Sequence, residues 1–268
     1  MNNGKLLTVI IPNYNKEKYL EQCIQSVINQ TYRPIEIIIV DDCSSDSSKE
    51  IIETFEKKYP YIKSIFQKKN GGVSLARNTG ALAAAGEYIT FLDSDDFYCN
   101  CEKLTNEMNL LAENKEILSY SKLVYVDEAG MRLDKSGNRI LEGKCVDQII
   151  RNCPFEILPR DYCINKEIFI KCGMYDINSA FYEDLDLLIR LTSCTSVKCT
   201  KSDGTAYRQV NNGLSSKSRE AQLRGRWKVS YEALKKIKAC RSFSNIIYVF
   251  LWKINIEIKI LAKKILFK

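Results

Sequence analysis

Chemistry is first offered by the acidic residues that follow an uncharged run. Asp93-Ser94-Asp95-Asp96 comes directly after Tyr88-Ile-Thr-Phe-Leu92. Hard divalent cations take oxygen ligands, and a few carboxylates completed by diphosphate oxygens hold Mg2+ or Mn2+. A solvated acidic turn is the plainer reading of so short a motif. Asp41-Asp42 ends a second apolar run, Ile35-Glu-Ile-Ile-Ile-Val40. A carboxylate there accepts hydrogen bonds from a ribose or a base, or caps the helix that follows. Asn70-Gly71-Gly72 marks a turn, and Ser74, Arg77 and Asn78 stand early on the helix behind it. Arg77 has the forked geometry that binds phosphate through two hydrogen bonds. Glu183-Asp184 opens a helix whose inward face is Leu185, Leu188 and Ile189. The helix dipole favours carboxylates at that end, so capping competes there with a chemical role.

The 268 residues contain no histidine. Ser-His-Asp and Cys-His nucleophile arrangements are therefore excluded, as is every histidine-bearing metal site. A base must come from Asp, Glu, Lys, Tyr or Cys, and carboxylates must carry any hard-metal site. The eleven cysteines include no C-x-x-C pair. The nearest approach, Cys99-x-Cys101, lacks companions for a four-ligand site, so the cysteines read as reduced residues of a cytosolic protein. The apolar stretch Leu6–Ile11 is too short for a secretory signal.

The elements that must position these residues follow from periodicity. Leu6–Ile11, Ile35–Val40, Tyr61–Phe66 and Tyr88–Leu92 read as strands. Glu17–Ile28, Ser47–Lys58 and Val73–Ala85 read as the intervening helices. Repeated strand–helix–strand units imply a mostly parallel α/β sheet with right-handed crossovers, in which ligands bind at the carboxyl ends of the strands. Those ends carry Pro12-Asn-Tyr-Asn15, Asp41-Asp42 and Asp93–Asp96. Neither a G-x-G-x-x-G turn nor a P-loop is present.

Together these stretches resemble the family 2 glycosyltransferases. The matching segments are Val9–Asn15, Ser26–Thr31, Glu36–Asp42, Asn70–Gly80, Gly86–Asp96, Phe181–Asp186 and Tyr207-Arg208. The resemblance spans about Leu6 to Ser216 and implies a GT-A-type nucleotide-sugar-binding fold: a central, mostly parallel sheet flanked by helices. It implies that Pro12, Tyr14, Asn15, Asp41 and Asp42 line a nucleoside pocket, with Tyr14 against the base and Asp42 bonding to it. Arg77 would lie near the nucleotide, Asp93 and Ser94 at the ribose or sugar, and Asp95 on the metal that bridges the diphosphate. Asp184 would be the general base, supported by Glu183, Asp96 and Arg208. The implied activity is metal-dependent (Mn2+ or Mg2+), inverting transfer of one sugar, a hexose or N-acetylhexosamine. The donor would be a UDP-sugar and the acceptor a saccharide or lipid-linked hydroxyl in bacterial surface polysaccharide synthesis. The Q-x-x-R-W context of processive synthases is not evident around Arg224-Gly-Arg-Trp227, which points to single additions.

The rival readings are a sugar nucleotidyltransferase and a non-catalytic nucleotide-sugar-binding subunit. The first usually has a glycine-rich basic loop where this chain has Pro12-Asn-Tyr-Asn-Lys16. The second would be favoured by loss of Asp95 or Asp184, and both are present.

Charge divides the chain. From Lys217 to Lys268 there are 14 Lys and Arg against 3 Asp and Glu, a net of +11; the remainder has 26 against 30, a net of −4. We expect a catalytic domain over 1–216 and a basic helical extension over 217–268. The extension holds two helical stretches, Ser218–Ala239 and Phe243–Phe267. In the second, Ile254, Ile258, Leu261, Ala262 and Ile265 share one side, and the longest apolar run, Ile246–Trp252, is too short to span a bilayer. Such a segment suits an anionic membrane surface, placing the protein at the inner face of the cytoplasmic membrane; packing on the domain or against another subunit is the alternative. Nucleic acid is disfavoured by the acidic body. Oligomeric state, the sugar, the acceptor and the linkage are not encoded legibly.

Overall fold

The computed structural model describes residues 4–134, 140–152, 161–179, 182–209 and 219–266. Five strands form the central sheet: β1 (Leu7–Asn13), β2 (Ile35–Asp41), β3 (Ile62–Phe66), β4 (Tyr88–Phe91) and β7 (Ile164–Asn165). Their order is β3-β2-β1-β4-β7. The first four are parallel, with Leu7 opposite Ile35 and Asn13 opposite Asp41, and the short β7 is antiparallel to β4. The sheet is therefore mixed at one edge. β1 and β2 are buried along their whole length, as a strand covered on both faces must be. Their side chains alternate between two cores. Leu7, Val9, Ile11, Ile35, Ile37 and Ile39 join one, and Ile10, Ile38 and Val40 the other.

The helices α1 (Glu17–Ile28), α2 (Ser48–Lys58) and α4 (Lys103–Glu113) supply the first core. The second takes α3 (Val73–Ala83), α5 (Val146–Asn152), α6 (Lys166–Lys171) and α7 (Glu183–Cys194). Helix α3 lies unusually close to the sheet. A Cβ on Gly80 would sit 2.4 Å from Ile10 Cγ2, so glycine is required for this approach. A second sheet, ordered β5-β8-β6, is built from β5 (Phe97–Tyr98), β6 (Ile117–Val126) and β8 (Ser196–Arg208). β5 continues from the acidic turn after β4 and pairs antiparallel with the end of β8, which brings Arg208 beneath that turn.

The C-terminal helices α8 (Arg219–Lys236) and α9 (Phe243–Leu266) follow. They pack on α7 and α5. Trp227 Nε1 donates to the Val249 carbonyl at 3.0 Å, and Asn245 Nδ2 to Asp147 Oδ1 at 2.7 Å. Asn245, Val249 and Ile256 are the buried face of α9. Phe243 (79% exposed), Ile246, Ile247, Phe250 (64%), Leu251, Ile254 and Ile258 are exposed. At 100° per residue these seven fall within an arc of about 140° on the opposite side. The expected apolar side agrees at Ile254 and Ile258; the side chains of Leu261, Ala262 and Ile265 lie outside the described residues. Among the described residues no helix is long and apolar enough to cross a membrane.

Candidate functional site at the strand ends

β1, β2 and β4 are neighbours, so their carboxyl ends meet. After β1, Asn15 adopts a left-handed conformation (φ 51°). Its N–H donates to Ser44 Oγ at 2.9 Å and its Oδ1 accepts from Ser45 N at 2.8 Å. Asp41 completes this knot by accepting from Asn13 Nδ2 (2.8 Å), Ser44 Oγ (2.6 Å) and Ser44 N (2.9 Å). Pro12 is buried at the strand end, while Tyr14 is left 47% exposed at the rim, its ring open to a planar partner.

Asp42 is turned to the glycine loop. Its two carboxylate oxygens accept from Gly71 N and Gly72 N, both at 2.8 Å. Gly72, with φ 86°, is the N-cap of α3. Asp42 thus fastens the glycine turn to β2 through both oxygens and does not cap α2. The turn aims α3 so that Ser74, Arg77 and Asn78 point inward and are buried.

Arg77 is only 5% exposed, so it is not a surface arginine. Its Nη2 donates to Asp93 Oδ1 at 2.7 Å and its Nη1 to Asp184 Oδ1 at 3.1 Å, with Glu183 Oε1 at 3.8 Å. The guanidinium lies 5.0 Å from the Tyr175 ring centroid. Tyr175 is held in turn by Asn78, whose side chain donates to the Tyr175 carbonyl (2.8 Å) and accepts its N–H (3.0 Å). Burial by itself lowers the Arg77 pKa, but the charges of Asp93 and Asp184 outweigh it and hold the guanidinium protonated. Burial, and then the charge of Asp184, push the Glu183 carboxyl up against the opposing pull of Arg77. Capping does not account for the Glu183-Asp184 pair. The N-cap of α7 is Tyr182 in a left-handed conformation without a side-chain cap bond, and Asp184 is turned to Arg77. Phe181 lies outside the described residues.

The acidic turn is clamped from below. Arg208 donates from its backbone N–H to Asp96 Oδ1 (2.8 Å), from Nε to the Asp95 carbonyl (2.8 Å), from Nη1 to the Glu128 carbonyl (2.6 Å) and from Nη2 to Gln22 Oε1 (2.6 Å). Ser94 and Asp96 are buried in the turn. Asp95 faces the opposite way, and its Oδ2 accepts from Lys16 Nζ at 2.6 Å. An ammonium thus already stands against the Asp95 carboxylate. Among the described residues no three acidic or cysteine side chains converge as a preformed metal cage.

The structure therefore brings Asp93, Asp184 and Glu183 together around Arg77, sets Asp95 against Lys16, and leaves Asp41 and Asp42 as the braces of the neighbouring loops. Sequence reasoning gave no role to Lys16 or Tyr175. A single lysine in a polar loop has no periodic signal, and Tyr175 meets Arg77 only through the fold.

Residues 8–162 match the sequence profile of Glycosyl transferase family 2. An uncharacterized glycosyltransferase of Haemophilus influenzae is 41% identical over 131 residues, covering 49% of this chain and 52% of that protein. A putative teichuronic acid biosynthesis glycosyltransferase of Bacillus subtilis, TuaG, is 36% identical over 136 residues, covering 50% and 54%. The chain thus matches about half the length of these relatives. Among solved structures, S. aureus TarS 1-349 in complex with UDP-GlcNAc has a TM-score of 0.69 at 23% identity, covering 85% of this chain and 66% of that one. GalNAc-T7 with UDP, GalNAc and Mn2+ has a TM-score of 0.67 at 16% identity, covering 88% and 48%. These likenesses establish the GT-A fold.

Proposed function

Because the chain belongs to glycosyl transferase family 2, we propose that it transfers one sugar from a UDP-sugar to an acceptor hydroxyl with inversion at the anomeric carbon. The observation that carries this reading is the Arg77 bridge, which sets Asp184 and Asp93 on one guanidinium beside the strand ends. Tyr14 and the Asn13–Ser45 loops form the nucleoside side of the cleft, and Asp93 and Ser94 its sugar side. Asp184 accepts the proton of the acceptor hydroxyl as that oxygen bonds to the anomeric carbon. The anomeric bond to the diphosphate breaks in the same step, and its electron pair leaves with UDP. Arg77 orients Asp184 through Nη1.

A hard divalent cation, Mn2+ or Mg2+, fits Asp95. The donor is an oxygen carboxylate already turned toward a positive charge, and a cation of this kind binds through one or two carboxylates plus substrate phosphates. Bound there, it would neutralise charge on the leaving diphosphate. The UDP-GlcNAc complex of TarS and the UDP, GalNAc and Mn2+ of GalNAc-T7 support an N-acetylhexosamine donor and a metal. The relative assigned to teichuronic acid synthesis supports a role in bacterial surface polysaccharide assembly.

We assign catalysis to residues 1–216 and membrane attachment to 217–268. The exposed apolar arc of α9, in a segment of net charge +11, is suited to lie in an anionic lipid interface. That would keep the protein at the cytoplasmic face, beside a lipid-linked acceptor.

The test is Asp184→Asn, which keeps shape but cannot take the proton. Turnover of a UDP-sugar should fall roughly 10²–10⁴-fold with UDP affinity near that of the unmodified protein. Transfer at the unmodified rate would remove Asp184 from the role of base.

A further inference from the structure

Two thiols outside the strand-end site lie against each other. Cys172 closes α6 and Cys194 ends α7, and their Sγ atoms are 3.0 Å apart. Both are free, Cys172 half-buried and Cys194 exposed. The backbone between them is fixed. Arg190 of α7 donates from Nη1 to the Cys172 carbonyl and from Nε and Nη2 to Asp186 Oδ2 at 2.9 and 2.7 Å. A disulfide needs about 2.05 Å between sulfurs, so closure asks for about 1 Å of movement.

We propose that Cys172 and Cys194 are a modification site that closes to a reversible disulfide when the protein meets a low-molecular-weight disulfide. The exposed Cys194, as thiolate, attacks one sulfur of the small disulfide and releases a thiol. Cys172 then loses its proton and attacks Cys194 Sγ, releasing the second thiol. Two protein thiols are oxidised and one small disulfide is reduced to two thiols. Burial and the neighbouring sulfur push the Cys172 thiol up to about 12, which fits Cys194 as the first nucleophile. The bond would join the end of α7, whose first turn carries Asp184, to the turn after α6, which leads through Gly173 and Met174 to Tyr175. Both segments meet Arg77, so oxidation fastens together the two supports of that guanidinium.

The test is to treat the full chain with oxidised glutathione, digest it without reductant and map the linked peptides by mass spectrometry. We expect one Cys172–Cys194 link and a melting temperature higher by about 5 °C. Both should be reversed by reductant and absent in Cys172→Ser and in Cys194→Ser. Protein that keeps both thiols, carries only mixed disulfides at them, or links either to another cysteine overturns the proposal. So does a link that leaves the melting temperature unchanged.

Discussion

Replacing Arg77 with methionine should damage this protein more than any single surface change, because it withdraws one cation from three carboxylates. Methionine fills much of the volume but donates no hydrogen bond. Asp93, at 2.7 Å, and Asp184, at 3.1 Å, lose their partner and face each other with Glu183 nearby. Breaking a fully buried ion pair costs about 3–5 kcal/mol. Asp93 and Asp184 each keep 26% side-chain exposure, so solvent relieves part of the repulsion and the low end applies, about 3 kcal/mol. In a chain of this size that is a melting temperature lower by about 5 °C. Urea unfolding at pH 7 measures the difference. A cycle with Asp93→Asn isolates its cause: the second substitution should harm the unmodified protein but relieve the Arg77→Met variant, with a coupling of about 1–2 kcal/mol. The reasoning is refuted if Arg77→Met melts within about 1 °C of the unmodified protein, or if the two changes add to within about 0.5 kcal/mol.

For the metal, calorimetry should show UDP binding strengthened by Mn2+, with the gain lost in Asp95→Ala and enlarged in Lys16→Met, where no ammonium competes. Equal UDP affinity with and without Mn2+ would remove the metal bridge. Glu183→Gln should stabilise the fold at pH 8 and leave it unchanged at pH 4. The raised pKa of Glu183 means that folded protein holds this proton more tightly than unfolded chain does. The resulting stability is fully present below the unfolded pKa and is lost as pH rises through the folded one; melting curves at the two pH values decide it. The full chain should sediment with vesicles of anionic lipid at low salt, and Phe250→Asp with Leu251→Asp should stay in the supernatant with an unchanged melting temperature. Full chain left in the supernatant would exclude the membrane role.

The first half of the fold was legible because it is local. Helix α1 occupies the expected Glu17–Ile28, and β1 to β4 fall within a residue or two of their apolar runs. The acidic strand ends were legible as a shared edge once the strands were parallel. What failed to show depended on distant pairings. β5 and β7 are two residues each, too short to leave a period, so the antiparallel edge of the central sheet and the link from the acidic turn to the second sheet were invisible. Nothing in the sequence marks Lys103 and Glu107 as special, yet both are fully buried, with Lys103 Nζ 2.8 Å from Glu107 Oε1 and 3.1 Å from Asp161 Oδ2. Their partner stands far along the chain, where periodicity says nothing.

These buried charges share a geometry that explains how the site is presented. Lys103 ties α4 to Asp161, and Asp161 borders the same small cavity as Asp93, Asp96 and Tyr207. Arg208 ties β8 to the acidic turn, to α1 through Gln22 and to the Glu128 carbonyl after β6. Its guanidinium lies 4.7 Å from the Tyr19 ring. Each buried cation demands that several donors or acceptors hold position, since an unpaired charge in that environment is costly. The backbone under Asp93–Asp96 is consequently fixed from two sides. Arg77 fixes the third side at Asp93, leaving the carboxylate of Asp95 as the member of the turn aimed at a flexible partner, Lys16. A lysine ammonium on a four-carbon stem can swing away without disturbing the turn. On the proposed metal role, replacement of Lys16 by a metal carrying diphosphate would be a local event on a rigid base. On that reading Asp95 supplies one carboxylate and the diphosphate supplies further oxygens, so Mn2+ should bind more tightly in the presence of UDP than alone; equal Mn2+ affinity with and without UDP would refute it.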